Sequence, residues 1–197
     1  MSLIPVLDNG HGGVINGSYL TPGKRSPNWD KGVLYEGMLN RWIVSRLIYK
    51  MDLASIPYFH VSPELEDVTL RERVRRADEI YRKHKNTYVV SIHANAGGGT
   101  GQEVFTSKGE TASDPIAEKF VQGLEGMLGL KMRKDTTDGD SDKEADFYIL
   151  RNTDGPAVLI EVGFMDNKHD YDLMWTEEFL EEVTDRLLAV IIELYRG

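Results

Sequence analysis

Ala157-Val158-Leu159-Ile160-Glu161-Val162-Gly163-Phe164 carries one charged residue in eight and directly follows Gly155-Pro156. So short and apolar a run, set off by a turn signal, reads as a strand buried on both faces. Tyr88-Val89-Val90-Ser91-Ile92-His93-Ala94 has the same character. So does Leu3–Leu7, which ends in D-N-G-H-G-G at residues 8–13. Strands covered on both faces require helices on both sides of the sheet, and the segments between them supply helical periods. Tyr35, Met38, Leu39, Trp42, Ile43, Leu47 and Met51 recur at three- and four-residue steps. Thr69-Leu70-Arg71-Glu72 is a capping-box signature that opens a charged helix through about Lys83. A helix is predicted from Ser113 to about Leu128, with Pro115 in its first turn, and a long amphipathic one from Trp175 to Tyr195.

Ile56–Val61, Gln102–Ser107 and Phe147–Leu150 complete the predicted strands. Residues 14–33 read as a long loop, and residues 132–144 as an exposed, aspartate-rich one. The expectation is an α/β fold over residues 1–197, with no internal repeat or linker and no separate second domain.

The chain has 197 residues, 23 Lys and Arg against 32 Asp and Glu, a net charge of −9, five His and no Cys. Absence of cysteine excludes a disulfide framework, a thiolate metal site and a cysteine nucleophile. The acidic balance argues against a protein that tracks nucleic-acid phosphates. No apolar stretch reaches the roughly 18–20 residues needed to span a bilayer, so stable membrane insertion is not expected. The N-terminus shows no signal-peptide pattern. Two locations are consistent with that: cytoplasmic until release from the cell, or periplasmic or extracellular for an excised mature domain.

Four polar residues stand where hydrophobic patterning would not place them. His11 follows the first strand among glycines, Glu36 lies at the start of the first long helix, and His93 and Glu161 interrupt apolar strands. A buried carboxylate costs several kcal/mol unless it is paired or functional. Strand C-terminal ends are where sites form in open α/β sheets. Two His and one carboxylate suit a catalytic zinc ion, and a further carboxylate suits proton transfer. Blander readings stand beside this one: His93 as a core histidine, Glu36 as a charge favoured by the helix dipole. Spacing alone leaves both open.

D-N-G-H-G-G, L-Y-E-G-M-L-N at residues 34–40, S-I-H-A-N-A at 91–96 and P-A-V-L-I-E-V-G-F-M-D-N at 156–167 occur in that order. Together they resemble the zinc-dependent N-acetylmuramoyl-L-alanine amidases of the type-3 family, found in bacterial autolysins and phage endolysins. G-Q-E-V-F at residues 101–105 resembles the next family strand. The resemblance implies a single-domain, mixed, mostly parallel sheet of about six strands with helices on both faces, phosphorylase/hydrolase-like. It implies His11, Glu36 and His93 as ligands of Zn2+, and Glu161 as the catalytic carboxylate, base and then acid. The implied substrate is peptidoglycan or a muropeptide, cut between N-acetylmuramic acid and L-alanine. Asn9 and Asp166 depart from the family pattern, which usually has Pro and Ser there.

Other readings keep the metal with a different amide substrate, as in an exopeptidase or deacetylase, or keep the fold as a silent wall-binding module. Oligomeric state is open, with a monomer the simpler expectation. Arg25, Trp29 and Lys31 are candidates for a cleft wall, and Arg71, Arg73, Arg75 and Arg76 for an exposed helix face. His169 is a candidate cleft residue. Asp138-Gly139-Asp140-Ser141-Asp142 opens like an EF-hand loop but fails at Lys143 and Ile149, so a solvated acidic loop is expected. Ser91, although near His93, has no nucleophile-elbow context.

Overall fold

The computed structural model describes residues 2–137 and 139–197. In chain order its first elements are β1 (Ile4–Asp8), a small hairpin of β2 (Val14–Ile15) and β3 (Ser18–Tyr19), α1 (Glu36–Leu53), β4 (Phe59–His60) and α2 (Leu70–Lys83). There follow β5 (Thr87–Asn95), β6 (Glu103–Thr106), α3 (Asp114–Leu124), β7 (Lys143–Glu144), α4 (Tyr148–Asn152), β8 (Ala157–Phe164), α5 (Lys168–Met174) and α6 (Glu177–Arg196). Six strands form one sheet in the order β4-β1-β5-β8-β6-β7. β4, β1, β5 and β8 run parallel; β6 is antiparallel to β8, and β7 is parallel to β6. The mixed, mostly parallel sheet of six strands that the resemblance implies is therefore present. Its two outermost strands are only two residues long.

The apolar strands bury both faces. On one side Leu7, Val90, Ile92, Val158 and Ile160 pack with Leu39, Ile43 and Leu47 of α1, Phe120 of α3 and Val183 and Leu187 of α6. On the other, Val6, Val89, Phe105, Ala157 and Leu159 pack with Val74 and Ala77 of α2 and Ile149 and Leu150 of α4. Alternation of neighbours along each strand sends successive side chains to opposite layers. Caps start the helices where the sequence marks them: Thr69 Oγ1 accepts from Glu72 N at 3.2 Å, and Thr176 Oγ1 from Phe179 N at 3.1 Å.

Four expectations are corrected. Phe147–Leu150 is not a strand: Tyr148–Asn152 is a short helix whose Ile149 and Leu150 seal the second core layer. A four-residue apolar run does not distinguish strand from helix by period alone. The sixth strand is instead Lys143–Glu144, inside the stretch read as exposed loop, where it pairs with Phe105 and Thr106. Arg73 does not lie on an exposed face. It is 2% exposed, with its guanidinium 3.0 Å from Asp67 Oδ1 and 3.6 Å from Asp8 Oδ2. The acidic loop is only partly solvated as well, because Asp142 is 2% exposed and accepts from Thr106 Oγ1 at 2.7 Å. Asp138 lies outside the described residues.

Candidate functional site

His11, Glu36, His93 and Glu161 are assembled by the central strands and the first turn of α1. β1 ends at Asp8 and delivers His11 three residues later, while α1 begins at Glu36. His93 and Glu161 are directly paired across β5 and β8, and Glu161 pairs on its other side with Glu103 of β6. Parallel pairing of β5 with β8 brings residues 93 and 161 to one level near the C-terminal ends of both strands, where a sheet of this kind opens into a cleft.

Ligand atoms of His11, Glu36 and His93 all lie within 4.8 Å of one another. His93 Nδ1 is 2.9 Å from Glu36 Oε1 and His11 Nε2 is 3.2 Å from the same oxygen. The two imidazoles stand edge to face, 5.1 Å between centroids. Glu36 Oε2 is buried without a hydrogen-bond partner. Two ring nitrogens and a carboxylate converging on one point, with the second carboxylate oxygen unpaired, fit the donor set of a zinc site. Burial alone would raise the Glu36 pKa, but hydrogen bonds and charge from His11 and His93 overturn that and hold it well below the carboxylate range. Burial works against a charged His93, yet the hydrogen bond and charge of Glu36, with Glu161 and Asp8 nearby, raise its pKa.

Glu161 is 9% exposed, and its Oε2 has no partner. Its pKa is raised to about 7, first by burial and further by the charges of Glu36 and Glu103, with His93 and Lys24 opposing. A carboxyl that exchanges its proton near neutrality is suited to general acid–base work. Glu103 itself stays ionised, because burial is outweighed by Lys143 and Arg133, whose nitrogens lie 2.6 and 2.8 Å from Oε1.

A cavity of about 450 Å³ opens on this group, lined by Lys24, Glu36, His93, Asn95, Phe147 and Glu161 among others. A second, of about 270 Å³, reaches His11 and His93 from the side of Asp67 and Arg73. A larger groove of about 740 Å³ between α1 and α6 touches none of the four residues.

The 14–33 loop is anchored on both sides of Lys24. Lys24 O accepts from Tyr19 Oη at 2.9 Å and from Glu36 N at 3.0 Å. Its cleft-facing part is Pro22, Gly23 and Lys24. Trp29 and Lys31 instead turn toward α5: Trp29 packs on Tyr171 at 4.7 Å, and Lys31 Nζ reaches the Asp172 carbonyl at 3.0 Å. Arg25 is exposed and meets Tyr35 only through a backbone bridge. His169 is exposed and lines neither cavity; its amide is held by the Asn167 cap.

Both departures from the family pattern make specific bonds. Asn9 N donates to Ser62 Oγ at 3.0 Å and Asn9 Oδ1 lies 2.7 Å from His60 Nε2, tying β1 to the segment after β4. Asp166 Oδ2 accepts from the Gly97 and Gly98 amides at 2.7 and 2.9 Å, closing the glycine loop after β5. Asp8, Ser91 and Arg73 form a buried polar group behind His93 that residue patterning did not single out. Asp8 at the head of D-N-G-H-G-G and Ser91 two residues before His93 were the available signals.

The family model described as N-acetylmuramoyl-L-alanine amidase matches residues 6–193. An endolysin of Bacillus phage SPP1 is 29% identical over 200 residues, covering 98% of this chain and 66% of that protein. N-acetylmuramoyl-L-alanine amidase CwlM of Bacillus licheniformis is 34% identical over 96 residues, 49% of this chain and 36% of that one. The chain thus spans from 35% to 66% of the length of the curated relatives it matches. Among solved structures, the N-acetylmuramoyl-L-alanine amidase from Clostridium difficile 630 superposes with a TM-score of 0.80 at 20% identity, over 100% of this chain and 98% of that one. At that identity it speaks to the fold.

Proposed function

The chain belongs to the N-acetylmuramoyl-L-alanine amidase family, and on that premise we propose that it is a zinc-dependent hydrolase of the amide joining N-acetylmuramic acid to the stem-peptide L-alanine of peptidoglycan. The observation that carries this reading is the convergence of His11, Glu36 and His93 within 4.8 Å, with Glu161 paired to His93 across the sheet. His11, Glu36 and His93 would hold the ion, with His93 offering Nδ1. Zinc, when bound, supplies Lewis-acid polarisation of a carbonyl and acidifies water.

The remaining work belongs to the chain. Glu161 takes the proton of the attacking water and hands it to the leaving amine of L-alanine, as its near-neutral pKa suits. β5 and β8 fix that carboxylate relative to the histidine by their ladder, so little reorganisation is needed during the reaction. Lys24 and Asn95 line the cleft beside Glu161 and offer polar contacts to the substrate. The site of action in this reading is the cell wall. Among the described residues no helix is long and apolar enough to cross a membrane.

Digestion of purified peptidoglycan, with zinc or with chelator, tests the proposal. The expected result is chelator-sensitive release of new L-alanine amino termini with no new reducing sugar ends. Cleavage of free peptides alone, or wall binding without release, would refute it.

A further inference from the structure

Behind His93, on the side away from Glu36, stands a fully buried polar chain. His93 Nε2 is 3.1 Å from Ser91 Oγ, and Ser91 Oγ donates to Asp8 Oδ2 at 2.7 Å. Asp8 and Ser91 are both 0% exposed. The Asp8 carboxylate also accepts from Ser62 Oγ at 2.6 Å through Oδ1 and lies 3.6 Å from Arg73 Nη1. Arg73 is itself fixed by bonds to the Val68 carbonyl at 2.7 Å and to Asp67 at 3.0 Å.

Proton counting gives this chain a direction. A serine hydroxyl has one hydrogen, and Asp8, ionised among Arg73 and two hydroxyls, accepts it. The only proton left for the contact between Ser91 and His93 is on Nε2, so His93 donates to Ser91. Nδ1, whose proton bonds the Glu36 carboxylate, would present a lone pair where Glu36 and His11 converge once that proton gives way to a metal ion, provided Nε2 keeps its own. Gly10 closes the ring's remaining freedom. It sits at φ +71°, and a Cβ there would meet His93 Cε1 at 2.7 Å.

We propose that Ser91 and Asp8 are positioning residues which, through a hydroxyl interposed between carboxylate and imidazole, fix the tautomer and orientation of His93 for metal binding. The inference rests on the reading of His93 as a ligand given above. It assigns Ser91 a role other than nucleophile: its hydrogen is committed to Asp8, away from the cleft. Removing an outer partner of a ligating histidine typically weakens metal affinity about 10–100-fold.

The test is zinc affinity of the full-length protein, measured by competition with a chromophoric chelator, for Ser91→Ala, Ser62→Ala and His93→Ala. Ser62 touches the same carboxylate but not the histidine, and its hydroxyl also accepts from Asn9 N, so it reports what loosening Asp8 and that turn does with the bond to His93 intact. The expected result is an affinity loss of roughly tenfold or more in Ser91→Ala, with Ser62→Ala close to wild type. Nitrogen NMR of the zinc-loaded protein should show a slowly exchanging proton on His93 Nε2 that exchanges fast in Ser91→Ala. Equal losses in both serine variants, or none in Ser91→Ala while His93→Ala loses zinc, would overturn the positioning role. Full zinc affinity in His93→Ala would instead overturn the ligand assignment on which it depends.

Discussion

Replacing Gly37 by alanine sets two effects of opposite sign against each other. Gly37 is the second residue of α1, and in a helix alanine is favoured over glycine by up to about 1 kcal/mol. A methyl group at this position, however, would overlap the Gly12 carbonyl oxygen and lie 3.0 and 3.1 Å from the Gly12 and His11 carbonyl carbons. Carbon atoms prefer separations of about 3.5–4.0 Å, so helix and loop must part by something on the order of 1 Å. Neither yields easily. Arg41 clamps the His11 carbonyl and binds the Gly37 and Glu64 carbonyls at 3.0 and 2.6 Å, and Gly37 N is itself bonded to Tyr19 Oη at 2.9 Å.

The overlap falls on a backbone carbonyl that cannot rotate away, so the upper part of the usual overpacking cost of about 1–3 kcal/mol applies, about 2–3 kcal/mol; less a propensity gain of about 1 kcal/mol, it leaves a net loss of about 1–2 kcal/mol. For a chain of this size Tm should fall by roughly 2–8 °C. The displaced backbone carries His11, and a misplacement of about 1 Å in a catalytic group costs on the order of 10²-fold in rate. Differential scanning calorimetry and kcat/KM on a soluble muropeptide measure the two quantities. A Gly37→Ala protein with Tm unchanged or raised and kcat/KM within about twofold of wild type would refute the argument that this close approach sets the position of His11.

Glu161→Gln keeps the shape of the side chain and removes its base. Turnover should drop by about 10²–10⁴-fold while equilibrium dialysis still finds zinc bound, and an active variant would eliminate Glu161 as the proton carrier. Zinc at a hundredfold excess over its Kd should add about 2.7 kcal/mol, raising Tm by roughly 5–11 °C; Glu36→Gln should respond far less, and an equal response would remove Glu36 from the ligand set. Burial, together with the nearby Asp140 and Asp114 charges, raises the Asp142 pKa from 3.8 to about 7. The folded state therefore holds that proton more tightly than the unfolded chain, and stability is lost as pH rises between those two values. Asp142→Asn should raise the urea midpoint at pH 8 and leave it nearly unchanged at pH 4, whereas an equal gain at both would sever the link to titration.

Glu161 and His93 were legible because each breaks an otherwise apolar strand, where a charge or imidazole demands a reason. His11 was legible from its glycine-flanked turn, and Glu36 mainly through the resemblance that joined it to the other three. The support behind them was not. Asp8 reads as the polar end of a short strand, and Arg73 as one more charge on a charged helix. Their meeting depends on α2 packing against the sheet, which no local pattern encodes. Ser91 joins Asp8 across 83 residues of sequence, and a lone serine in a strand gives no sign of such a partner. The misreading of Phe147–Leu150 has a similar origin. Its apolar residues serve the layer beneath α2, and a single helical turn does that as well as a strand. The neighbouring Lys143–Glu144 pairs with β6 despite its polarity, with Lys143 neutralising Glu103.

The two-residue length of β4 and β7 bears on how the protein behaves when crowded. An open sheet edge is a template on which a strand from another molecule can grow, and the danger increases with the length of unpaired backbone it presents. Here the long, apolar strands β5 and β8 lie in the interior of the sheet, and its outermost strands are Phe59–His60 and Lys143–Glu144. Strands rich in valine and isoleucine, which would be prone to self-association if exposed, are thereby shielded by short margins, one of them charged. Such a molecule should tolerate accumulation to high local concentration without seeding fibrils, and lengthening either margin should erode that tolerance before it disturbs the reaction centre.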